Sequence, residues 1–405
     1  MATKRIKRVI VTGAGFSAPA HLPTQNKIID KMTEELAIDF LSGKLPRESI
    51  KFLNTYITVG LFLLDNYGKE NYHNLTKEYD QLREVNSKED FYPVIKEDFY
   101  SVIYVLRNKI RLAIRKEKTN VNLEDIFTSF DKSVISRQHL HKYTYAQMDE
   151  IQYSITRLFI YYFSKSVQEH SFKQGDYQNF IRYIKKQKTI NPITIITTNW
   201  DTLVEEYCKL YGIKYSYGFQ TLYTSIDIQN PMDKFDILLL KIHGSANWLK
   251  CLHCGAISVF ENDKAADSLF EDEKQERCAI CGQGKSFAAQ SLQPEIITPT
   301  MLKSFSNRVY SNLWGAASTE IRVATHIIFI GYSFPIADFD FRYMMQKNVS
   351  PTAKINVVLH KDDDPAQTDK NTLKRLLPEK RYRDAFPKNK INFYYRGFKT
   401  YFGKS

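Results

Sequence analysis

Short, densely apolar runs recur along the chain and are separated by longer stretches with helical spacing. The runs span residues 6–12, 192–198, 237–242, 324–334 and 354–360. The run 192–198 is especially dense in branched residues, which favours a central parallel strand covered on both faces. Alternation of such strands with helices predicts an α/β fold built on an open, doubly wound sheet.

The long stretch between the first two runs has a different pattern. From Asn26 to about residue 189, apolar residues follow helical spacing, with a capped helix expected at Asn122–Asp131 and another at Met148–His170. No phosphate loop, metal-ligand spacing or repeat interrupts it. We therefore predict a large helical insertion, and we interpret its aromatic residues as core and oligomer contacts rather than a base-stacking platform.

A glycine turn follows the first predicted strand. Gly13-Ala-Gly-Phe-Ser-Ala18 fits the pattern of a dinucleotide turn, in which glycines let backbone amides approach a pyrophosphate. A tight turn between a strand and a helix needs the same glycines. Its place directly after the first strand favours a Rossmann-like, nucleotide-binding sheet.

Polar residues follow two other strands. Asn199 and Asp201 come after the second run, and His243 comes after the third. Because ligands of doubly wound sheets lie at the carboxyl ends of strands, these side chains are expected to meet there. Capping of a helix over 202–210 is the alternative role for Asn199 and Asp201; it suits Asp201 better, whereas Asn199 suits a ligand contact.

Four of the five cysteines form two Cys-x-x-Cys pairs with 23 residues between them, the spacing of a four-cysteine zinc ribbon. The predicted ligands are Cys251, Cys254, Cys278 and Cys281. Four thiolates would fill the coordination sphere, so the predicted Zn²⁺ is structural rather than catalytic. We interpret His253 as solvent-facing and Cys208 as a buried, small apolar residue.

Composition and charge narrow the function classes. With 405 residues, 43% hydrophobic and 25% charged, the chain is globular and long enough for two or three structural units. It has no run of about 18 apolar residues and no secretory leader, which predicts a cytoplasmic protein without membrane contact. Cysteines in such a compartment favour metal over disulfides.

The formal charge is +12, and the excess is uneven. Residues 374–405 hold ten Lys or Arg against Glu379 and Asp384. This basic tail could contact nucleic acid, an acidic partner or an anionic cofactor. A solvated basic surface is the alternative, and the apolar and aromatic residues within the tail could dock on a core.

Taken together, five motifs resemble the sirtuin superfamily of NAD-consuming enzymes. They are Gly13-Ala-Gly-x-Ser17, Thr198-Asn-x-Asp201, His243-Gly244, the two Cys-x-x-Cys pairs and Gly331-x-Ser333. The resemblance covers roughly residues 6–22, 193–305 and 324–360. It implies that NAD⁺ is the substrate and that its nicotinamide–ribose bond is cleaved.

The resemblance also implies roles for particular residues. Asn199, Asp201 and His243 would be catalytic, with the first two near the nicotinamide ribose and His243 as the base at the ribose hydroxyls. The other motif residues would bind NAD⁺, through its phosphates at the glycine turn and its adenosine at the last motif. They are Gly13, Ala14, Gly15, Ser17, Thr198, Gly244, Gly331 and Ser333.

The sequence departs from deacetylating sirtuins at two places. Those enzymes carry Gly-Ile-Pro-Asp-Phe-Arg after the glycine turn and Phe-Gly-Glu after the zinc module, where this chain has Ala18–Thr24 and Leu302–Asn307. With its large helical insertion, the chain looks more like bacterial anti-phage sirtuin-like proteins. That branch implies hydrolysis of NAD⁺ to nicotinamide and ADP-ribose as the effector of phage defence, depleting NAD⁺ on infection.

The same resemblance implies a homo-oligomer and a partner, such as a ring-shaped DNA-translocase-type ATPase or a nucleic-acid sensor. The alternatives are an NAD-dependent protein deacylase, an ADP-ribosyltransferase, or a nucleic-acid-binding or cleaving subunit. The predicted units are the NAD-binding core (1–25, 190–250 and 283–370), the helical insertion (26–189), the zinc ribbon (251–282) and the basic C-terminal tail (371–405).

Overall fold

The chain forms two compact units. One comprises Met1–Thr24, Phe163–Ala265 and Arg277–Ser405, and the other comprises Gln25–Tyr162 and Ala266–Glu276. The computed structural model describes residues 7–24, 27–43, 50–68, 95–113, 122–170, 172, 177–187, 192–221, 223–270, 276–281, 292–303, 307–360 and 372–403.

The first unit is built on two β-sheets. The strands are β1 Arg8–Thr12, β2 Ile193–Thr197, β3 Tyr215–Ser216, β4 Tyr223–Thr224, β5 Ile237–Lys241, β6 Gly244–Cys251, β7 Ile257–Val259, β8 Leu292–Ile296, β9 His326–Ile330, β10 Lys354–Val358 and β11 Ile391–Tyr394. The larger sheet has the order β11-β10-β9-β1-β2-β5-β3, and every neighbouring pair is parallel. The predicted parallel sheet is therefore confirmed.

Helices surround this sheet and build the second unit. They are α1 Ala14–Ser17, α2 Ile28–Leu41, α3 Ile50–Tyr67, α4 Ile95–Arg111, α5 Leu123–Ser136, α6 Tyr145–Glu169, α7 Tyr177–Gln187, α8 Leu203–Tyr211, α9 Asn262–Phe270, α10 Arg308–Val323, α11 Phe339–Asn348, α12 Thr372–Ala385 and α13 Gly397–Gly403. Among the described residues, no helix is long and apolar enough to cross a membrane.

Strand register shows that helices cover both faces of the larger sheet. Thr194 donates a hydrogen bond to Glu320 of α10, and its partner in the sheet is Val9. In the register of the sheet, Asn356 is offset by one residue from Thr194. Its side chain donates to Tyr401 of α13 at 2.7 Å. Because side chains of alternate residues point to opposite faces, α10 and α13 lie on different sides of the sheet. The doubly wound arrangement predicted from the sequence follows from these contacts.

The second sheet lies outside the sequence-based prediction. Its order is β4-β7-β6-β8, and β6 pairs antiparallel with both β7 and β8. After His243 the sequence predicts only a metal knuckle. The structure shows instead that the chain enters β6 at Gly244, so this sheet connects the strand-end histidine to the first cysteine pair.

The second unit is helical in its described residues and has an aromatic core. Phe127 of α5 packs edge-on against Phe130 and lies 6.0 Å from Phe159 of α6. Asn122 caps α5 by accepting a hydrogen bond from the amide of Glu124 at 3.1 Å. The capped helix predicted here is confirmed, and it forms because the Asn oxygen satisfies an otherwise unpaired amide of the first turn.

The last described residues belong to the sheet rather than to a separate tail. Strand β11 extends the sheet beyond β10, and Phe402 of α13 packs on Phe180 and Tyr183 of α7. Residues 374–405 are rich in lysine and arginine. The apolar residues between them decide the structure, because they dock this segment on the core, as the alternative interpretation expected.

Candidate active site at the carboxyl edge of the sheet

Four of the five sirtuin-like motifs gather at one edge of the larger sheet. Strands β9, β1, β2 and β5 are neighbours and run parallel, so the residues that follow them meet at their carboxyl ends. After β1 the chain continues with β2, which lies on one side of β1. It returns later with β9, which lies on the other side. The pair β1 and β9 is therefore the topological switch point, where ligands of open α/β sheets bind.

The glycine turn is fastened to β9 at this switch point. The amide of Gly13 donates to the carbonyl of Ile330 at 3.1 Å, and the amide of Gly15 donates to the carbonyl of Gly331 at 2.8 Å. A Cβ atom on Gly331 would lie 2.2 Å from the carbonyl carbon of Gly15. The glycines thus allow close backbone packing between the turn and the end of β9, which the sequence did not predict, and Ala14 lies half-buried between them.

Asn199 and Ser17 join the end of β2 to the glycine turn. The Asn199 Nδ2 donates to the carbonyl of Gly13 at 3.0 Å and to Ser17 Oγ at 2.9 Å. These two acceptors fix the orientation of the amide. Its side-chain oxygen accepts no hydrogen bond from the described residues, so it is the atom left for a ligand hydroxyl or amide.

Asp201 is used within the fold. Its Oδ2 accepts from Ser17 Oγ at 2.7 Å, and its Oδ1 accepts from the amide of Leu203, the first residue of α8, at 3.1 Å. The carboxylate is buried. The helix-capping role that the sequence left open is therefore present, and Asp201 supports Asn199 through Ser17.

A buried ion pair lies beneath this loop. The Lys241 ammonium donates to Glu205 at 2.8 Å and to the carbonyl of Asp201. Tyr217 donates to the same carboxylate oxygen of Glu205 at 3.0 Å. Since Lys241 ends β5, the pair ties the loop after β2 to the strand that presents His243.

His243 faces a carboxylate that the sequence analysis did not select. Its Nε2 lies 3.3 Å from Oδ1 of Asp338, and the ring is mostly buried. The same oxygen accepts from Lys303 Nζ at 2.5 Å. The Tyr332 hydroxyl donates to the other oxygen, Oδ2, at 2.7 Å. Asp338 thus accepts hydrogen bonds from Lys303 and Tyr332 and lies close to His243, so side chains from three segments meet at this carboxylate.

The electrostatics of this cluster favour the charged carboxylate. Burial by itself raises the pKa of Asp338, but His243 and Lys303 outweigh it and hold the pKa well below its usual range. The net direction means that Asp338 is ionised at neutral pH. An ionised, buried carboxylate keeps a strong interaction with any donor that faces it.

The loop that carries Asp338 turns through two left-handed residues. Gly331 has φ +59°, and Phe334 has φ +54° although it is bulky and precedes Pro335. Such a conformation costs about 1–3 kcal/mol and persists only where packing imposes it. Phe334 is fully buried and packs on Tyr382 at 5.0 Å, which supplies that packing.

The remaining predicted NAD contacts lie around this edge. Gly244 has φ +81°, and its Cβ position lies 2.3 Å from the carbonyl of Glu295, so it serves the approach of β6 to β8. Thr198 is half-buried and donates its amide to the carbonyl of Thr12 at 3.2 Å. Ser333 is exposed, and its carbonyl accepts from Arg381 at 3.4 Å.

The four cysteines of the predicted ribbon converge. Their sulfurs all lie within 4.8 Å of one another, with 4.0 Å between Cys251 and Cys281 and 3.6 Å between Cys254 and Cys278. A tetrahedral ion with metal–sulfur bonds of about 2.3 Å requires sulfurs about 3.8 Å apart. The group therefore fits a metal ion. His253 is exposed in the first knuckle and lies outside this group.

Two members of the site, Asp338 and Lys303, were missed because their sequence signals are weak. Asp338 directly precedes a helix, where an acidic residue is ordinarily a cap. Lys303 lies in the segment Leu302–Asn307, which the sequence analysis used only as a departure from deacetylases; its residues 304–306 lie outside the described chain. An acidic residue shortly after a strand-end glycine motif is the signal that could have found Asp338.

Comparison with known proteins gives one family match and several similar structures. Residues 193–381 match the SIR2-like domain family. A sequence search of curated proteins finds no match. Among solved structures, one described as "The Structural basis of Sirtuin Substrate Affinity" has a TM-score of 0.40 at 12% identity, covering 99% of this chain and 93% of that chain.

Two further structures have similar values. One described as "Structural Basis for the Mechanism and Regulation of Sir2 Enzymes" has a TM-score of 0.39 at 12% identity and covers 100% of this chain and 91% of that chain. One described as "Sir2-p53 peptide-NAD+" has a TM-score of 0.35 at 12% identity, covering 99% and 92%. The chain therefore carries a SIR2-like domain over residues 193–381.

Proposed function

We propose that this protein is an NAD glycohydrolase that converts NAD⁺ and water into nicotinamide, ADP-ribose and a proton. The family match supports a sirtuin-type, NAD-dependent enzyme. The observation that carries the proposal is the meeting of Asn199 and His243 with the glycine turn at the carboxyl ends of neighbouring strands. This edge also contains the switch point at which a dinucleotide is expected to bind.

The residue types suit cleavage of a glycosidic bond. Departure of nicotinamide leaves an oxocarbenium-like ribose, and an amide and a neutral imidazole can orient it without reacting with it. Asn199 is assigned to position the ribose through its side-chain oxygen. His243 takes the proton from a ribose hydroxyl or from the attacking water, as a general base.

Water, rather than an acylated lysine, is the proposed acceptor because the deacetylase motifs are missing. The segment Ala18–Thr24 lacks Asp-Phe-Arg, and Leu302–Asn307 lacks Phe-Gly-Glu. Within the second segment this chain instead places Lys303 on the carboxylate beside His243. The buried Lys303 ammonium is therefore assigned to the surroundings of the proposed base, His243, rather than to a contact with an acylated lysine.

The test is NAD⁺ turnover by the purified full chain, alone and with an acetyl-lysine peptide, with products separated by chromatography. Equal amounts of nicotinamide and free ADP-ribose without peptide are expected. Turnover only with peptide would assign the chain to the deacylases. ADP-ribose attached to protein would indicate a transferase, and absence of turnover in both samples would overturn the proposal for the isolated chain.

A structural zinc ion belongs to the same proposal. The four sulfurs of Cys251, Cys254, Cys278 and Cys281 have the spacing for one tetrahedral ion, and four thiolates suit Zn²⁺. With no open coordination position, the ion would stabilise the knuckles at the end of β6. Its expected content is about one zinc per chain.

The proposed role of the hydrolase is phage defence, as the effector that depletes cellular NAD⁺ on infection. The resemblance to bacterial anti-phage sirtuin-like proteins supports this role, and it also supports a homo-oligomer acting with a partner such as a ring-shaped DNA-translocase-type ATPase or a nucleic-acid sensor. Cells carrying the wild type should lose NAD⁺ after infection, and cells carrying Asn199→Ala should retain it. Equal NAD⁺ loss in both would contradict the role.

Nucleic-acid contact is a second candidate function, favoured by a row of cations on the opposite edge of the sheet. Arg8 and Lys354 lie in register on either side of His326, at the amino ends of β1, β10 and β9, and Lys390 directly precedes β11. Burial together with Arg8 and Lys354 lowers the pKa of His326, so the cations of the row are Arg8, Lys354 and Lys390. No carboxylate of the described residues forms an ion pair with Arg8, Lys354 or Lys390. Neighbouring strands are about 4.8 Å apart, so the row presents a line of positive charge to a polyanion.

Binding of a labelled oligonucleotide over a salt series tests this second function. Phosphate contacts make the affinity fall steeply with salt, and the double variant Lys354→Glu/Lys390→Glu should weaken binding and flatten that dependence. Lys214→Glu is the matched control, because Lys214 precedes β3 at the far end of the same edge. If the affinity changes neither with salt nor in the double variant, these residues do not bind the oligonucleotide.

A further inference from the structure

Asp338 occupies a position beside the proposed base that the established family match does not explain. Its Oδ1 lies 3.3 Å from His243 Nε2 and 2.5 Å from Lys303 Nζ, while Oδ2 accepts from Tyr332 at 2.7 Å. The side chains of Asp338 and Lys303 are only 7% and 3% exposed. Water therefore competes little for these contacts, and the carboxylate has a fixed orientation.

The Nε2 nitrogen of His243 is the one that lies beside the Asp338 carboxylate. Nε2 is buried and makes no hydrogen bond of good geometry in this structure, although the carboxylate is its near neighbour. A buried polar atom without a partner destabilises the fold, so a proton on Nε2 directed at Asp338 is the arrangement that satisfies it. Catalytic hydrogen bonds are commonly long before the substrate binds.

From this geometry we infer that Asp338 is a positioning residue that holds His243 as the Nε2–H tautomer, leaving Nδ1 as the atom that accepts the proton during catalysis. Lys303 is the counter-ion that keeps the Asp338 carboxylate charged and in place. The inference rests on the proposed function for the catalytic role of His243. The tautomer itself is a property of the folded protein and is independent of turnover.

Lys303 has a specific part in this arrangement. A buried carboxylate without a cation close to it would favour its protonated form, because burial disfavours charge. The ammonium at 2.5 Å removes that preference, and the Tyr332 hydroxyl fixes the second oxygen. Lys303 and Tyr332, which lie in separate loops, therefore fix the Asp338 carboxylate so that Oδ1 can accept a hydrogen bond from His243 in one direction only.

A purely structural ion pair, which pins the loop of Lys303 to the loop of Asp338, is the competing explanation. It predicts loss of stability when either partner is replaced, with no effect on the histidine tautomer. Only the positioning role predicts that Asp338 also changes which nitrogen of His243 carries the proton. The experiment therefore needs a readout of the ring nitrogens.

The decisive measurement is nitrogen NMR of the full chain labelled with ¹⁵N-histidine, with His243 assigned through His243→Gln. Wild-type His243 should show a protonated Nε2 and an unprotonated Nδ1. In Asp338→Asn the Nε2–H preference should be lost. Asp340→Asn, the same change two residues along on α11, should leave the wild-type pattern. An Nδ1–H tautomer in the wild type would overturn the inference even if every variant unfolded.

Kinetics provide the second readout, once the wild type releases nicotinamide. Asp338→Asn should lower kcat by about 10²-fold or more with little change in KM, because a misoriented base loses a contribution of about 10²–10⁴. Lys303→Met should lower kcat, and Lys303→Arg should restore much of it. Unchanged kcat in folded Asp338→Asn would refute the positioning role, whereas absence of wild-type turnover would refute only the proposed function.

Discussion

Gly15 donates its amide to the carbonyl of Gly331 at 2.8 Å, and this bond joins the turn after β1 to the end of β9 at the switch point of the sheet. The two backbones approach so closely that neither position has room for a side chain. Both glycines come from motifs that suggested nucleotide binding. Their packing explains how the loops around the proposed NAD⁺ site keep a fixed distance.

Replacement of Gly331 by alanine should lower the free energy of unfolding by more than about 2 kcal/mol. Its φ of +59° costs an L-residue about 1–2 kcal/mol, and the added Cβ would lie 2.2 Å from the Gly15 carbonyl carbon. Gly212→Ala is the control, since Gly212 has φ +61° and open space around its Cβ position. Denaturant unfolding should show a clearly larger loss for Gly331→Ala, and equal losses would contradict the role of close packing.

Asn199→Ala should reduce nicotinamide release by about 10²-fold or more while the protein remains folded. The substitution removes the proposed ribose contact and the donor that fastens the turn at Gly13 and Ser17. Asn179→Ala, a matched change at a half-buried position of α7 whose side chain bonds the carbonyl of Lys399, should retain full activity. Steady-state NAD⁺ turnover with circular dichroism as the folding check measures both, and normal turnover in Asn199→Ala would remove Asn199 from the site.

Sequence reasoning found the elements of the sheet because each buried strand is a short apolar run. The strands around Ile195, Leu239 and Ile328 needed no tertiary information, since burial on both faces leaves a continuous apolar pattern. Placement of Asn199 and His243 at one edge also followed, because parallel strands end on the same side. These parts of the candidate site depend on local pattern and on topology.

The surroundings of His243 could not be predicted in this way. Asp338 and Lys303 lie 95 and 60 residues from His243 in the chain, as their numbers show, and neither belongs to a motif with a fixed spacing to it. The contact depends on two loops whose path is set by tertiary packing, including the left-handed Phe334. Strands β4, β6, β7 and β8 were missed for a related reason, since their pairing is decided by non-local contacts rather than by a strong apolar run.

Lys241→Met should lower the free energy of unfolding by about 3–5 kcal/mol, because it leaves the buried Glu205 without its cation. The side chains of Lys241 and Glu205 are 0% and 5% exposed, and their atoms lie 2.8 Å apart. In the double variant with Glu205→Gln, part of this loss should be recovered. Lys209→Met is the control, since its pair with Glu261 is exposed and worth at most about 1 kcal/mol. Similar losses in the two single variants would show that the buried pair is unimportant.

Removal of a knuckle cysteine should remove the metal. Cys278→Ser should lower the zinc content from about one ion per chain to a small fraction and lower the Tm, because the closed four-thiolate site contributes directly to folding. His253→Ala should retain the metal, since His253 is exposed and lies outside the sulfur cluster. Elemental analysis of protein purified without chelator decides this, and zinc-free wild type would refute the site.

The stability that Asp338 contributes should disappear in acid. Although burial alone raises its pKa, His243 and Lys303 hold the folded-state pKa below its usual range, whereas in the unfolded chain the group titrates near about 3.9. The charged form is therefore favoured by folding. Its contribution is fully present above the unfolded pKa and is lost as the pH falls through the depressed folded pKa.

In Asp338→Asn this titration is absent, so the variant should be less stable than the wild type at neutral pH, and the difference should shrink below about pH 4. Denaturant unfolding of both proteins from pH 7 to pH 3, with Asp340→Asn as the control, measures it. A difference that stays constant or grows toward low pH would show that the carboxylate is not stabilised by its two basic neighbours.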